Sequence, residues 1–314
     1  MMGLFLWPAL AAGVMGLALA SLCAGRYDVP INRMIAILAH HVLPINDRWE
    51  PIEQRIVELI RLPRTVEAML VGPQIVGVSS GSALGGATAI FLSLGNIAVV
   101  GSAFLAGMAA IVCVYLIAAT RNRTSTLMLV LAGAIVGAFY ASLVSLVIFF
   151  ANPDDSLPAI VYWLMGSFAT ASFAKVEILF ISVLVAGVPL LALHFRINVL
   201  ALGDEEARAL GVRVERTRWL ALTAVSILVA ACVSVSGVIG WVGLVIPHFT
   251  RMLFGPNHRL VLPGSLLIGS GHMLLIDTIA RTVSALEIPL GILTAIVGAP
   301  VFGLVLRRTK ARGW

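Results

Sequence analysis

The sequence predicts an all-α polytopic membrane protein that forms a single transmembrane domain over residues 1–314. Of its 314 residues, 60% are hydrophobic and only 11% are charged, a balance too apolar for a water-soluble domain. The mean hydropathy of +1.03 supports the same class. Its uncharged stretches are also long enough to cross a bilayer, since one crossing takes about 20 residues.

These uncharged stretches predict helices. Residues 68–120 contain no Asp, Glu, Lys or Arg and are long enough for about two crossings. The others cover residues 3–25, 124–153, 156–174, 178–195, 219–250, 260–276 and 288–306. Barrel strands would alternate apolar with polar residues, whereas a helix satisfies its backbone groups within one continuous apolar segment. The first stretch has no Lys or Arg before it, so we expect a retained span rather than a cleaved signal.

Positive charge collects at the ends of the uncharged stretches. The formal net charge is +6, and Lys and Arg between spans mark the loops that face the cytoplasm. The predicted cytoplasmic loops contain Arg121 and Arg123, the segment 196–218, Arg251 with Arg259, and residues 307–312. Because the basic residues are scattered between spans, nucleic acid is not expected as a partner.

The segment "LGDEEARALGV", residues 202–212, is unusually charged for this chain. Gly203 precedes three acids, which suit the first turn of a helix, and Gly211 is placed as a C-terminal stop. A short capped helix outside the membrane is therefore predicted. Two interpretations remain open from the residues alone: a solvated connector, or a docking helix for a cytoplasmic partner.

Several longer motifs follow one another along the chain: "RLPR…LVG…GVSSGSALGG", "YWLMGSF", "ALGDEEARALGVRVERTR", "SGVIGWVGLVIPHFTRMLFGPNHRLVLPGSLLIG" and "IPLGILTAIVGAPVFGLVLRR". Together they resemble the FecCD-type permeases, the membrane subunits of bacterial ATP-binding-cassette importers for iron–siderophores, haem and cobalamin. The resemblance extends from Arg61 to Arg308.

This resemblance implies a type II importer bundle of ten transmembrane helices in the bacterial inner membrane. It implies a homodimer with two cytoplasmic ATPase subunits and a periplasmic substrate-binding protein. ATP and Mg²⁺ would be bound by the ATPase subunits, and no cofactor by this chain. The expected cargo is an iron–siderophore, haem or a related metal chelate, with cobalamin or an oxyanion as the alternative within the family.

The resemblance also implies roles for particular residues. A segment that couples the bundle to the ATPase is expected at Asp204, Glu205, Glu206, Ala207, Arg208, Leu210 and Gly211. A cytoplasmic gate at the dimer axis is expected at Ser125 and Thr126. The periplasmic loop 26–64 is expected to meet the binding protein, and the docking arginines implied are Arg61, Arg64 and Arg281.

A phosphate-binding loop is not found in the sequence. Such a loop needs a Gly-rich turn followed by Lys, and the only two lysines, Lys175 and Lys310, have no Gly before them. We therefore expect no catalytic residue here and ATP hydrolysis on a separate polypeptide. His248, His272 and the pair His40–His41 lack H-E-x-x-H spacing, so no metal site is predicted.

Two motifs suggest other classes of protein. "GVSSG" fits a nucleophile elbow with Ser79 as the serine of an intramembrane hydrolase. The same region spaces Gly77, Gly81 and Gly85 four apart, which favours a close helix-packing face instead. Asp277 could serve an ion-coupled secondary transporter, but Arg281 lies at i+4 and favours an intramembrane ion pair.

The chain departs from the family pattern between Gly72 and Pro73. FecCD-type permeases continue there through the rest of a span and a short loop, so roughly one helix of about 20 residues is missing. Nine crossings would remain, and the two termini would lie on opposite sides. Charge counting would then place loop 26–64 in the cytoplasm, whereas the resemblance places it in the periplasm. Because the motifs on both sides of Gly72–Pro73 are intact, we expect the topology that the resemblance implies.

Overall fold

The computed structural model describes residues 2–25, 27, 29–41, 49–72, 77–118, 126–284 and 286–310, and this part of the chain is helical without strands. The first third contains α1 (Met2–Cys23), α2 (Ile31–His40), α3 (Pro51–Arg55) and α4 (Leu62–Leu70), with the π-helical segment Ile56–Arg61 joining α3 to α4. The middle contains α5 (Val78–Phe91), α6 (Asn96–Ala118), α7 (Thr126–Phe150), α8 (Ser156–Leu164), α9 (Phe173–Ser182), the π-helical segment Val183–Gly187, α10 (Val188–Ala192) and α11 (His194–Leu200). The last third contains α12 (Asp204–Ala209), α13 (Val214–Ser236), α14 (Val242–Phe254), α15 (His258–Thr282) and α16 (Leu290–Lys310).

Within the described residues, 6 helical stretches are long and apolar enough to cross a membrane. They are Leu6–Cys23, Asn96–Ala118, Leu127–Phe150, Phe173–Ala192, Val214–Ser236 and His258–Thr282. Two shorter apolar helices, Val242–Phe254 and Leu290–Leu304, lie among them. The uncharged stretch 219–250 is thus divided between α13 and α14, which separate at Gly237, a residue with the left-handed φ of 72°.

Contacts between neighbouring helices fix their directions. The short helix α12 is held to the start of α13 by Asp204 and Arg218, 2.7 Å apart. The start of α15 lies at the same end, where the His258 amide donates to Asn198 Oδ1 of α11 at 2.8 Å. We call this end of the bundle the α12 end and the opposite one the far end.

The first and last helices both have a terminus at the α12 end. Trp7 near the start of α1 stacks on Phe254 at the end of α14, with ring centroids 4.8 Å apart. Helix α16 begins with Leu290 at the far end. It then runs towards the α12 end, and the ring centroid of Phe302 lies 6.3 Å from that of His248 on α14. The two ends of the described chain thus lie at the same end of the bundle, as the topology implied by the resemblance requires.

The reason lies in α4 and α5, which are both short. Helix α4 descends from the far end antiparallel to α15: Arg64 meets Asp277, and the Ser270 hydroxyl donates to Met69 O at 2.6 Å. Helix α5 runs back towards the far end, antiparallel to α6. Helix α4 ends beside Ser270, about halfway along α15, and α5 has 14 residues, fewer than the roughly 20 that span a bilayer alone. Since α4 and α5 run in opposite directions, the shortage shortens both segments and leaves their directions unchanged.

The loop 26–64 lies at the far end. The Arg61 guanidinium there donates to Leu22 O and Cys23 O at the end of α1, at 2.7 and 2.8 Å. Charge counting alone would place this loop on the same side as segment 196–218, but the structure places them at opposite ends.

At the start of α3, the backbone amide of Glu50 and then Arg33 bond the Glu53 carboxylate and hold its pKa below its usual range.

Segments from three separate parts of the chain meet at the far end through backbone hydrogen bonds. The Ser167 amide donates to Ser236 O, the Leu290 amide to Gly166 O and the Gly291 amide to Met165 O, each at 2.9 Å. We call these segments, residues 165–167, 236–237 and 290–291, the backbone junction. Its hydrogen bonds pair backbone amide and carbonyl groups that lie outside the regular helices. An unpaired polar group among packed helices would be costly.

Candidate coupling helix and charge cluster

The helix α12 forms where the sequence predicts it. Gly203 precedes it with φ 128°, and Gly211 ends it with φ 78°, conformations that L side chains rarely adopt. The acids Asp204, Glu205 and Glu206 occupy the first turn, where they suit the positive end of the helix dipole.

One side of α12 is fixed to the bundle and the other faces outwards. Ala207 is fully buried in a small cluster with Val199 of α11 and Val214 of α13. Asp204 is held by Arg218 in the ion pair described above. On the outer side, Glu205, Glu206 and Arg208 are exposed, and Leu210 is 63% exposed.

This arrangement favours a docking surface over a mobile connector. A helix anchored on one side presents its outer side chains in a fixed geometry, which lowers the entropy cost of binding. An exposed leucine beside acidic groups offers a partner both an apolar and a charged contact. The coupling role of these residues stays a prediction.

A cluster of buried charges lies at the far end between α4 and α15. Arg64 Nε donates to Asp277 Oδ1 at 2.9 Å, and Arg64 Nη1 donates to Glu287 Oε1 at 3.0 Å. Asp277 is fully buried, and Arg281 Nε lies 3.1 Å from its Oδ2. The structure thus brings Asp277 and Arg281 together and adds Arg64 as a second cation, which the sequence analysis did not connect to them.

The three predicted docking arginines all bond internally. Arg281 donates to Ser21 Oγ at 2.8 Å and to Ala24 O at 2.9 Å, while Arg61 bonds the end of α1. The exposed fractions of Arg61, Arg64 and Arg281 are 4%, 5% and 7%. Burial favours a structural role, because an arginine in an encounter with another protein must first reach solvent. Docking through these arginines stays a prediction, tested below.

The glycines spaced four apart form a close contact between helices. A Cβ at Gly81 would lie 2.5 Å from the Ala110 Cβ and 2.7 Å from Ala106 O on α6, and one at Gly85 would overlap the Ser102 carbonyl. Gly77, with φ 101°, starts α5 against Gly133 of α7. Ser79 lies buried on the same helix, and no strand precedes it in the described part of the chain. The strand-to-helix turn of a hydrolase elbow is not the geometry seen here.

The predicted gate cannot be placed in the structure. Ser125 lies outside the described residues, and Thr126 begins α7 without a described side chain. The gate stays a prediction. Across the described ranges, no three His, Cys, Asp or Glu side chains gather as a metal site would require.

Two ionisable side chains inside the bundle, one fully buried and one half-buried, escaped the sequence analysis. Glu67 on α4 is fully buried, and neither of its carboxylate oxygens has a hydrogen-bond partner among the described residues. Lys175 on α9 donates to Thr170 Oγ1 at 2.6 Å and to Val235 O at 3.0 Å. The signal available in the sequence was an acid and a lysine beside long uncharged stretches, where ionisable residues are rare and functional by default.

A multi-pass helical bundle with an anchored charged helix at one end has the form of the membrane subunit of a transport system. The chain belongs to the FecCD transport family, whose sequence model matches residues 69–308. It is a permease subunit of an ATP-binding-cassette importer and a multi-pass protein of the inner membrane.

Its relatives differ in the cargo that their names give. The molybdate import permease MolB of Haemophilus influenzae is 39% identical, with 94% of this chain and 93% of the relative covered. The Probable iron chelatin transport system permease of Helicobacter pylori is 39% identical over 80% of this chain and 82% of the relative. The cobalamin import permease BtuC of Halobacterium salinarum is 38% identical over 88% of this chain and 80% of the relative.

A solved structure has the same fold. It bears the description "An inward-facing conformation of a putative metal-chelate type ABC transporter", and it matches with a TM-score of 0.84 at 38% identity, covering 96% of this chain and 98% of the other. A bundle of type II importer architecture is thereby shown.

The alignment with the molybdate permease also bears on the missing segment. It extends over 316 positions yet covers 94% of this chain, and 94% of 314 residues is about 295. About 20 positions of the alignment therefore have no counterpart here, which equals the length of one crossing. The shortened α4 and α5 fit a shortage of this size.

Proposed function

We propose that this permease imports a metal chelate, an iron–siderophore or haem, from the periplasm to the cytoplasm. In this proposal two copies form a homodimer, two ATPase subunits bind ATP and Mg²⁺ at the α12 end, and a periplasmic binding protein delivers cargo at the far end. The observation that supports it most is the likeness to a metal-chelate type transporter over nearly the whole of both chains. A second candidate cargo is an oxyanion such as molybdate. The similarity to the molybdate permease MolB, which covers 93% of that relative, favours it.

Uptake into proteoliposomes distinguishes the two cargoes. The complete transporter, with its own ATPase and binding protein, would be given radiolabelled ferric siderophore, haem or molybdate on the binding-protein side and ATP on the other. ATP-dependent accumulation of an iron chelate alone is expected. Accumulation of molybdate alone would replace the chelate by the oxyanion, and accumulation of neither would refute both.

Exposed apolar side chains on α7 support a homodimer. Leu127, Val130, Ile135 and Phe139 recur along one side of this helix, each at least 59% exposed. A second copy packed against them would bring the start of α7, where Thr126 of the predicted gate lies, to the dimer axis.

Charge reversal on α12 should uncouple the motor from transport. The double substitution Glu205→Lys/Glu206→Lys reverses two exposed charges on α12. If the ATPase groove is complementary to the two acids, the new lysines face like charges, and ATP-driven uptake should fall about tenfold or more. The bundle should remain folded, because both side chains are exposed and neither has a hydrogen bond or ion pair to another described residue. ATP hydrolysis and uptake would be measured together, with Asp154→Lys at the far end as the matched charge reversal. Unchanged uptake would remove α12 as the coupling helix.

Cysteines at the predicted gate should cross-link two subunits. In a background with Cys23, Cys113 and Cys232 changed to alanine, Ser125→Cys or Thr126→Cys should give an oxidised dimer, because both residues are expected at the axis. The dimer would be measured by non-reducing gel electrophoresis. Phe139→Cys, on the exposed side of α7, is the comparison. A dimer with Phe139→Cys and none with either gate cysteine would place the gate elsewhere.

A further inference from the structure

A cavity of about 510 Å³ opens within a single subunit at the far end of the bundle. It lies between the turn that joins α5 to α6, the helix α8, the loop that leads to α9 and the end of α13. Polar side chains make up much of its wall: Ser93, Asn96, Ser156, Tyr162, Ser167 and Thr170. Its volume is in the range of small-molecule sites, about 300–1,000 Å³. We call it the hydroxyl cavity.

Several hydroxyl oxygens of this wall already accept hydrogen bonds from the protein. Ser156 Oγ accepts from the Asn152 amide at 2.9 Å, and Ser167 Oγ accepts from the Ala169 amide at 3.0 Å. Thr170 Oγ1 accepts from the Lys175 ammonium at 2.6 Å. A hydroxyl has one hydrogen to donate, so a group that accepts from the protein can still offer that hydrogen to a ligand. The Ser167 and Tyr162 hydroxyls lie 3.3 Å apart, so a bond between them uses one of their two hydrogens and leaves the other for a ligand. The wall is therefore arranged to donate to a ligand rich in acceptors.

The Lys175 ammonium is directed at this wall. Both of its described bonds go to residues that line the cavity, Thr170 and Val235. The carboxyl group of Glu67, on the neighbouring helix α4, is fully buried. Lys175 nevertheless donates to Thr170 and Val235 and leaves both Glu67 oxygens without hydrogen bonds. The positive charge thus polarises the Thr170 hydroxyl, which strengthens its donation into the cavity.

One negative group faces the cavity. Asp155 is part of the wall, and its side chain is exposed to solvent. Water screens an exposed charge far better than a buried one, so its repulsion of an anion is weaker than the attraction of the half-buried Lys175.

We propose that the hydroxyl cavity binds an oxygen-rich anion, with Lys175 supplying charge through Thr170, and Ser156 and Ser167 donating hydrogen bonds. Carboxylate-type metal chelates and metal oxyanions share this chemistry. The cavity is far larger than a single tetrahedral oxyanion, so the bulkier chelate fills it better. The choice between these ligands rests on the proposed import function, whereas the site lies inside one subunit and can be tested without ATP or the binding protein.

Equilibrium binding to the permease–ATPase complex in lipid nanodiscs tests the site. Radiolabelled ferric citrate and radiolabelled molybdate are the two probes, used without ATP and without the binding protein. Saturable binding of ferric citrate is expected, and binding of molybdate alone would identify the compact oxyanion as the ligand of the same site. Lys175→Met should weaken binding about tenfold, the usual effect of losing a charge-assisted contact. Asp155→Asn should tighten binding, because it removes the opposing charge.

Matched threonine variants separate binding from folding. Thr170→Val removes the hydroxyl and should weaken binding severalfold, whereas Thr170→Ser keeps it and should bind like the wild type. Ser142→Ala, which removes a hydroxyl on α7 bonded to Ala138 O, should change nothing. The proposal is overturned if neither probe binds saturably, or if Lys175→Met and Thr170→Val bind as the wild type does. Because ATP plays no part, these outcomes are independent of the uptake assay.

Discussion

Replacing Arg64 with alanine should lower the free energy of unfolding by about 3–5 kcal/mol. Removing one member of a buried ion network leaves its partners charged and uncompensated in a medium that cannot solvate them. Here Arg64 bridges Asp277 on α15 and Glu287 in the loop before α16, and Asp277 is fully buried. The measurement is denaturant or thermal unfolding of the purified permease in detergent.

An exposed arginine provides the control for this substitution. Arg55 on α3 lies at the same end of the molecule and is exposed, so Arg55→Ala should leave stability within about 0.5 kcal/mol of the wild type. The same variants decide the docking prediction. If Arg64→Ala is as stable as the wild type but associates more slowly with the binding protein and with less dependence on salt, Arg64 is a docking residue and the structural role is wrong.

Replacing Gly81 with leucine should separate α5 from α6. Even a Cβ at this position would lie 2.5 Å from the Ala110 Cβ and 2.7 Å from the Ala106 carbonyl oxygen, and neither neighbour can rotate away. Overpacking of this kind usually costs about 1–3 kcal/mol, and the backbone clash places Gly81→Leu at or above the top of that range. The expected result is a large fall in the amount of folded permease, measured by fluorescence-detected gel filtration from membranes.

A second glycine serves as the matched control. A Cβ at Gly101 on α6 would meet no atom within 4 Å, so Gly101→Leu adds the same side chain without a clash. Folded yield should then be close to the wild type. Equal yields for Gly81→Leu and Gly101→Leu would show that α5 and α6 can move apart without loss of the fold.

The sequence located most helices because lipid imposes one simple requirement, a long uncharged segment. The stretch 68–120 predicts two crossings, and α5 and α6 occupy it. Composition counts apolar residues and does not show where one helix ends and the next begins in the opposite direction. The sequence between α4 and α5 contains no charged residue, so the hydropathy does not separate the two helices.

The candidate sites were predictable only where the partners are close in sequence. The pairing of Asp277 with Arg281 follows from helical spacing, and the limits of α12 follow from Gly203 and Gly211. The contact between Arg64 and Asp277 joins residues 213 positions apart and depends on how α4 packs against α15. The direction of the Lys175 ammonium likewise depends on tertiary packing. It donates to Thr170 and to Val235, which is 60 positions away, and not to the carboxyl group of Glu67.

The backbone junction imposes an order on the synthesis of this protein. Its hydrogen bonds join residues beside α8 and α13 to the start of α16, so it cannot close until Leu290 and Gly291 have left the ribosome. Contacts this distant in the chain also form slowly, because the long intervening loop must first be closed. A nascent chain that stops before Leu290 leaves the Gly166 carbonyl without this hydrogen bond. The last helix is therefore the one whose arrival completes the far end of the permease.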